Sequence, residues 1–209
     1  MNTPLPFRET RAEPIHELIR DHPLGLLVTP GLTASHVPFL LYADVGPSGT
    51  LRAHLARSNP QWRELSEASE CLVVFRGAEG YVTPSWYSTK AETGKAVPTW
   101  NYAAVHVWGR PTVTEDYDWL RGQVEDLAKH QERARPEPWS LDEAPADYID
   151  AMMRGIVGIE IAILRTEGIR KMSQNKTEKD RVGVIRGLRS VTDPHANADL
   201  ASAMDDLGG

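Results

Sequence analysis

Alternating hydrophobicity dominates the first half of the chain, and helical periodicity is concentrated in the second. Near the start, Ile15, Leu18 and Ile19 share one helical face behind Thr10 and Glu13, which stand at capping-box spacing, and Pro23 ends that helix. LGLLVTP (24–30) and SHVPFLLY (35–42) read as strands around a turn containing Gly31. TLRAHLA (50–56) reads as a third strand after the turn GPSG (46–49). Asn59 and Pro60 then open a short helix over about 60–69, with Trp62 and Leu65 facing inward. CLVVFRG (71–77) and YVTPS (81–85) are two further strands, and SWYSTKAETGKAVP is a polar loop. TWNYAAVHVWGRPTVTE (99–115) is a long strand, broken or bent near Gly109 and Pro111.

Downstream, Asp116 caps a helix through about Gln131, and residues 146–156 form another with Ile149, Met152 and Met153 inward. VGIEIAILRTEGIRKM returns as a strand, and Thr177 with Asp180 begins a last helix over 178–189 that uses Val182, Ile185 and Leu188. Short strands with Gly/Pro turns, flanked by helices, predict an antiparallel sheet or barrel. A length of 209 residues fits one domain, placed at 1–190, with the small polar stretch 191–209 as a flexible C-terminal tail.

Composition narrows the function classes. Hydrophobic content of 41% with 25% charged residues is that of a soluble globular protein. A net charge of −6 counts against direct nucleic-acid binding, which needs clustered cations to displace counterions. The single cysteine, Cys71, lies in the apolar run CLVVF and reads as a buried strand residue, not a nucleophile. Without a leader pattern or a run of 18 apolar residues, the expected location is the cytoplasm, with no membrane association.

Three stretches could carry chemistry. In HLARSNP, a strand feeds a helix start, and His54, Arg57, Ser58 and Asn59 offer a phosphate site without a glycine loop. The aromatic-rich pair Thr83-Pro84-Ser85-Trp86-Tyr87 and Thr99-Trp100-Asn101-Tyr102 offers stacking faces with edge hydrogen bonds, a combination suited to a planar heteroaromatic such as isoalloxazine. Lys171-Met172-Ser173-Gln174-Asn175 is either a turn or the closing wall of a pocket. His36, His54 and His106 fall on separate strands with no metal-ligand spacing, so no metal site is expected, although one of them could serve as an axial haem ligand. Neither a dinucleotide fingerprint nor a P-loop is present.

HPLGLLVT, SHVPFLL, GTLRAHLARSNPQW, YVTPSWYSTKAETGKAVPTWNYAAVHVWG, PADYIDAMMRGIVGIEI and KMSQNK together resemble the PaiB family of FMN-binding negative transcriptional regulators, over about residues 4–190. The resemblance implies an α+β fold: a six-stranded antiparallel split β-barrel of the pyridoxamine-phosphate-oxidase-like type, with helices outside. It also implies a homodimer holding FMN. The phosphate would map onto His54, Ala56, Arg57, Ser58 and Asn59, and the ring onto Ser85–Tyr87 and Thr99–Asn101. Lys171, Gln174 and Asn175 carry over as members of the KMSQN segment. Where relatives often read GKWKLSQN, this chain reads GIRKMSQNK and lacks the tryptophan. The functions implied are a regulator that binds flavin, a flavin-dependent oxidoreductase acting on a small molecule, or a haem-binding or haem-degrading barrel. No catalytic residue is assigned, and His54, His106 and Tyr87 are the first side chains to vary.

Overall fold

The computed structural model describes residues 1–206, so the last three positions of the expected C-terminal tail lie outside the described residues. Among these, eight strands form one sheet: β1 (Arg8–Glu9), β2 (Leu24–Val28), β3 (Ala34–Pro38), β4 (Leu40–Tyr42), β5 (Thr50–Ala56), β6 (Cys71–Val82), β7 (Thr99–Thr114) and β8 (Ile156–Lys171). The order is β3-β2-β6-β7-β8-β5-β4, with β1 on β8, and β1–β8, β2–β3, β2–β6, β4–β5 and β5–β8 pair antiparallel. Seven helices accompany it: α1 (Ala12–Asp21), α2 (Gln61–Glu67), α3 (Ser88–Thr93), α4 (Tyr117–Glu132), α5 (Ala146–Arg154), α6 (Glu178–Leu188) and α7 (Ala198–Asp205). The protein is thus a mixed α/β molecule built on an antiparallel sheet, with eight strands in place of six.

The chain divides into two compact units. One comprises Ile19–Phe75 and His106–Thr166. Its strands obey the period of two: in β5, Leu51, Ala53 and Leu55 are buried while Arg52, His54 and Ala56 alternate with them on the more open face. Phe39 and Phe75, both fully buried, meet edge to face with centroids 5.9 Å apart. A second cluster of Leu120, Leu141, Ile149 and Met153 seats α4 and α5. The Asp116 carboxylate accepts from Trp119 N at 2.8 Å and starts α4 as its sequence promises.

The other unit comprises Met1–Leu18, Arg76–Val105 and the chain from Glu167 onward. Val82, Tyr87, Ala103, Met172, Val184, Leu188, Leu200, Ala201 and Met204 form its core. Here several expectations fail for identifiable reasons. Residues 71–77 and 81–85 are not two separate strands, because β6 runs unbroken from Cys71 to Val82. Gly80 marks a close approach instead, since a Cβ there would lie 2.9 Å from Leu200 Cδ2. The stretch expected to be a free tail folds back as α7, with Asn197 capping Leu200 N at 3.0 Å and Leu200, Ala201 and Met204 buried. Small residues in that stretch are what allow the tight packing, so their size misled the sequence pattern.

Smaller corrections follow the same logic. Gly109 does not break β7. It sits where a side chain would overlap Ile161, so the residue serves strand packing in the first unit. Residues 35–42 split into β3 and β4 at the buried Phe39. The polar loop contains α3, closed by Gly94 at φ 70°. Met152 and Val182, expected inside, are 48% and 51% exposed.

Candidate functional site

In the first unit, β5 ends at Ala56 and α2 begins at Gln61. Beside this junction lies a groove of about 560 Å³ whose polar walls are Ser35 and His36 of β3, His54 of β5, and Asn59. Asn59 is held at both ends of its amide. Its Oδ1 accepts from Gln61 N at 3.0 Å, and its Nδ2 donates to Ser35 Oγ at 3.1 Å. The Ser35 hydroxyl, already accepting, keeps its own proton available for a ligand. His54 Nδ1 lies 2.8 Å from Oε1 of the buried Gln123 on α4.

Arg57 and Ser58 do not line this groove. All three guanidinium nitrogens of Arg57 are engaged. Nε donates to Arg154 O at 2.9 Å, Nη2 to Ile156 O at 3.2 Å, and Nη1 to the Glu115 carboxylate. The fork expected to meet phosphate instead joins the end of β5 to the C-terminus of α5, the start of β8 and the end of β7. Ser58 is exposed.

The remaining sequence-derived candidates lie in the other unit. Lys171 Nζ donates to Thr99 Oγ1 at 2.6 Å and to Trp100 O at 2.9 Å. Burial, and then the charge of Lys176, push its ammonium pKa down. Trp100 is 48% exposed, with its Nε1 donating to Glu79 at 2.9 Å and its ring edge-on to Tyr81 at 6.3 Å. It therefore presents open aromatic surface. Ser85 is exposed and accepts from Lys90 Nζ at 3.2 Å, and Asn175 is exposed.

Others in this unit are structural. Asn101 is 0% exposed, bonded to Ser173 Oγ at 2.9 Å and facing Met204 Sδ at 3.5 Å. Gln174 spans its own turn, accepting from Met172 N at 2.7 Å and donating to Arg170 O. Trp86 donates to Asp193 at 3.1 Å and lays its ring where Gly187 leaves room, so its surface serves helix packing. Tyr87 is buried, with no hydrogen-bond partner for its hydroxyl and the Lys176 ammonium 5.1 Å from its ring centroid. Burial, and then the charge of Asp180, raise its pKa.

Sequence reasoning missed Ser35 and Gln123. Ser35 precedes His36 in a segment read only as a strand, and strand alternation gives no chemistry. Gln123 lies 69 residues from His54, a separation no local pattern spans. The groove's volume falls within the ordinary range for ligand sites of about 300–1,000 Å³. Its polar groups, the Ser35 hydroxyl and the His54 imidazole, suit a phosphate ester better than an apolar ring. Among the described residues, no three His, Cys, Asp or Glu side chains gather to hold a metal ion. No helix among them is long and apolar enough to cross a membrane.

Residues 1–165 match the model of a family described as "Putative FMN-binding domain". An uncharacterised protein of Aspergillus fumigatus is 38% identical, with 88% of each chain covered. The protease synthase and sporulation protein PAI 2 of Bacillus subtilis is 32% identical, over 99% of this chain and 97% of that one. Among solved structures, the fold is similar to that of the flavocytochrome Anf3 of Azotobacter vinelandii, with a TM-score of 0.57 and 11% identity, covering 84% of this chain and 75% of that one. It is also similar to an FAD and heme binding protein of Mycobacterium smegmatis, with a TM-score of 0.57 and 17% identity, covering 84% and 78%.

Proposed function

The chain belongs to the FMN-binding domain family, and from that membership we propose a cytoplasmic flavoprotein that works as a homodimer on a split β-barrel framework. The observation that carries the site is the groove at the end of β5, where Ser35, His54 and Asn59 converge. In this reading it takes the phosphate end of FMN, with Ala56 beside it. Thr99 and Trp100, with Lys171 hydrogen-bonded to both, and the exposed Ser85 are the candidates for the flavin ring. Bound FMN supplies hydride and single-electron chemistry, and the protein supplies position and electrostatics.

The resemblance to FMN-binding negative regulators and the negative net charge together favour a regulator that acts through a partner or a flavin-dependent reaction and not through its own grip on DNA. The decisive experiment is an absorbance spectrum of the purified protein on a sizing column, before and after adding FMN. The expected result is a dimer peak with a flavin band near about 450 nm. A dimer that refuses FMN and takes haem, with a band near about 400 nm, would replace this reading by the haem-binding one that the mycobacterial neighbour's description motivates.

A further inference from the structure

His54 is oriented by a residue with no counterpart in its own sequence neighbourhood. The Gln123 side chain is buried at 3% exposure, and its Oε1 lies 2.8 Å from His54 Nδ1. An amide oxygen only accepts, so a neutral His54 ring bonded to it carries its proton on Nδ1. Nε2 is then a lone pair, and it has no partner within the described chain. A phosphate dianion facing that lone pair is repelled. A proton added at Nε2 turns the same atom into a charged donor, and the Nδ1–H···Oε1 bond to Gln123 survives unchanged. Gln123 therefore supports both protonation states while fixing which nitrogen exchanges its proton.

Other ionisable groups near the groove are mostly committed. On β5 itself, Arg52 pairs with Glu160 of β8 at 2.7 Å. Past its end, Arg57 is bound to Glu115. On α4, Asp126 accepts from the Tyr42 hydroxyl of β4 at 2.6 Å. On α2, the Glu64 carboxylate is held by Thr29 and Thr33. His36 of β3 shares the groove with His54 and is the one rival proton site among these.

We propose that the groove takes a phosphate ester together with a proton, which is held on His54 Nε2, and that Gln123 is the positioning residue for this uptake. The ligand's identity as FMN rests on the flavoprotein reading above. The proton step does not, because it is a property of the groove and the phosphate.

Calorimetric titrations of FMN, riboflavin and inorganic phosphate, in buffers of different ionisation enthalpy and free of phosphate, count the protons taken up. The expected result is net uptake with FMN and none with riboflavin. His54→Gln abolishes the uptake and lowers FMN affinity roughly tenfold or more, while His36→Gln retains the uptake. Nitrogen-15 NMR of the imidazole, followed with pH until the ring signals stop moving, should show the Nδ1–H tautomer in the wild type. Gln123→Leu should lose that preference, and Gln123→Glu, which keeps an acceptor, should restore it.

FMN binding without proton uptake, or an Nε2–H tautomer in the wild type, overturns the inference and leaves the flavoprotein reading standing. Proton-linked binding of inorganic phosphate by a protein that refuses both flavins upholds the inference and overturns the flavoprotein reading.

Discussion

The Cys71 thiol shows how completely a local environment can decide a residue's chemistry. It opens β6 in a buried position, and burial, with a smaller push from the Glu70 charge, raises its pKa to about 12. Below that value it stays a thiol, and thiols are poor nucleophiles. Native protein should therefore resist thiol reagents at pH 8 and react stoichiometrically only after denaturant is added. Fast labelling of the folded protein would disprove this assignment. Arg57 teaches the complementary lesson. Its residue type and position advertise a phosphate fork, but three protein acceptors already occupy it. The ion pair is partly exposed and contributes little, so most of the effect lies in the two carbonyl bonds. Arg57→Ala should cost roughly 1–2 kcal/mol of stability, seen as a lower thermal midpoint. Any loss of FMN affinity should be recovered in conditions that stabilise the fold. A large affinity loss with an unchanged midpoint would return Arg57 to the phosphate.

At the scale of elements, α6 is held by Trp86 on one side and by Asp180 at its start. A Cβ on Gly183 or Gly187 would overlap the Trp86 backbone or indole. Gly187→Ala should destabilise by roughly 1–3 kcal/mol through overpacking. Gly122→Ala on the open side of α4, where nothing lies within 4 Å, should stabilise by roughly 0.5–1 kcal/mol. Denaturant midpoints of the pair read out the contrast, and equal shifts would mean that the Trp86 notch is not tight. Asp180 adds a pH dependence. Burial opposes its ionisation, but the Thr89 N–H at 3.0 Å, the Thr89 hydroxyl at 2.7 Å and Thr177 outweigh it, so the carboxyl titrates below the usual aspartate range. A depressed carboxylate contributes stability that is complete above its unfolded pKa and is lost as pH falls through its folded one. Amide exchange in α3 and α6 should therefore stay slow down to the ordinary aspartate range and accelerate below it. Asp180→Asn should lose this acid dependence.

These elements also explain what was legible beforehand. β5, α4, α5 and α6 announce themselves because alternation, helical period and caps such as Asp116 and Thr177 are local signals. The single span of β6 and the packed α7 were hidden. Gly80, Leu200 and Asn197 explain one another only once distant segments meet. The site divides in the same way. His54 and Asn59 sit in one short stretch and could be picked from it, whereas Gln123 acquires meaning only through α4. Asn101 and Trp86 were drawn toward the ligand by residue type, whereas Asn101 is buried and the half-buried Trp86 packs against α6.

The whole molecule carries the remaining test, because the six segments that resemble the FMN-binding regulators include residues of both compact units. Phosphate-type and ring-type candidates are divided between the units: His54, Ala56 and Asn59 in one, and Thr99, Trp100 and Lys171 in the other. If the proposed dimer completes the flavin site, FMN affinity and dimer affinity are linked, and each ligand bound stabilises assembly by mass action. Dilution through the dimer dissociation range should then release FMN in step with monomer formation, and excess FMN should move that range to lower protein concentration. Sedimentation velocity followed at both the protein and flavin absorbance bands measures the two together. Flavin that remains on a sedimenting monomer would remove the reason for the proposed dimer.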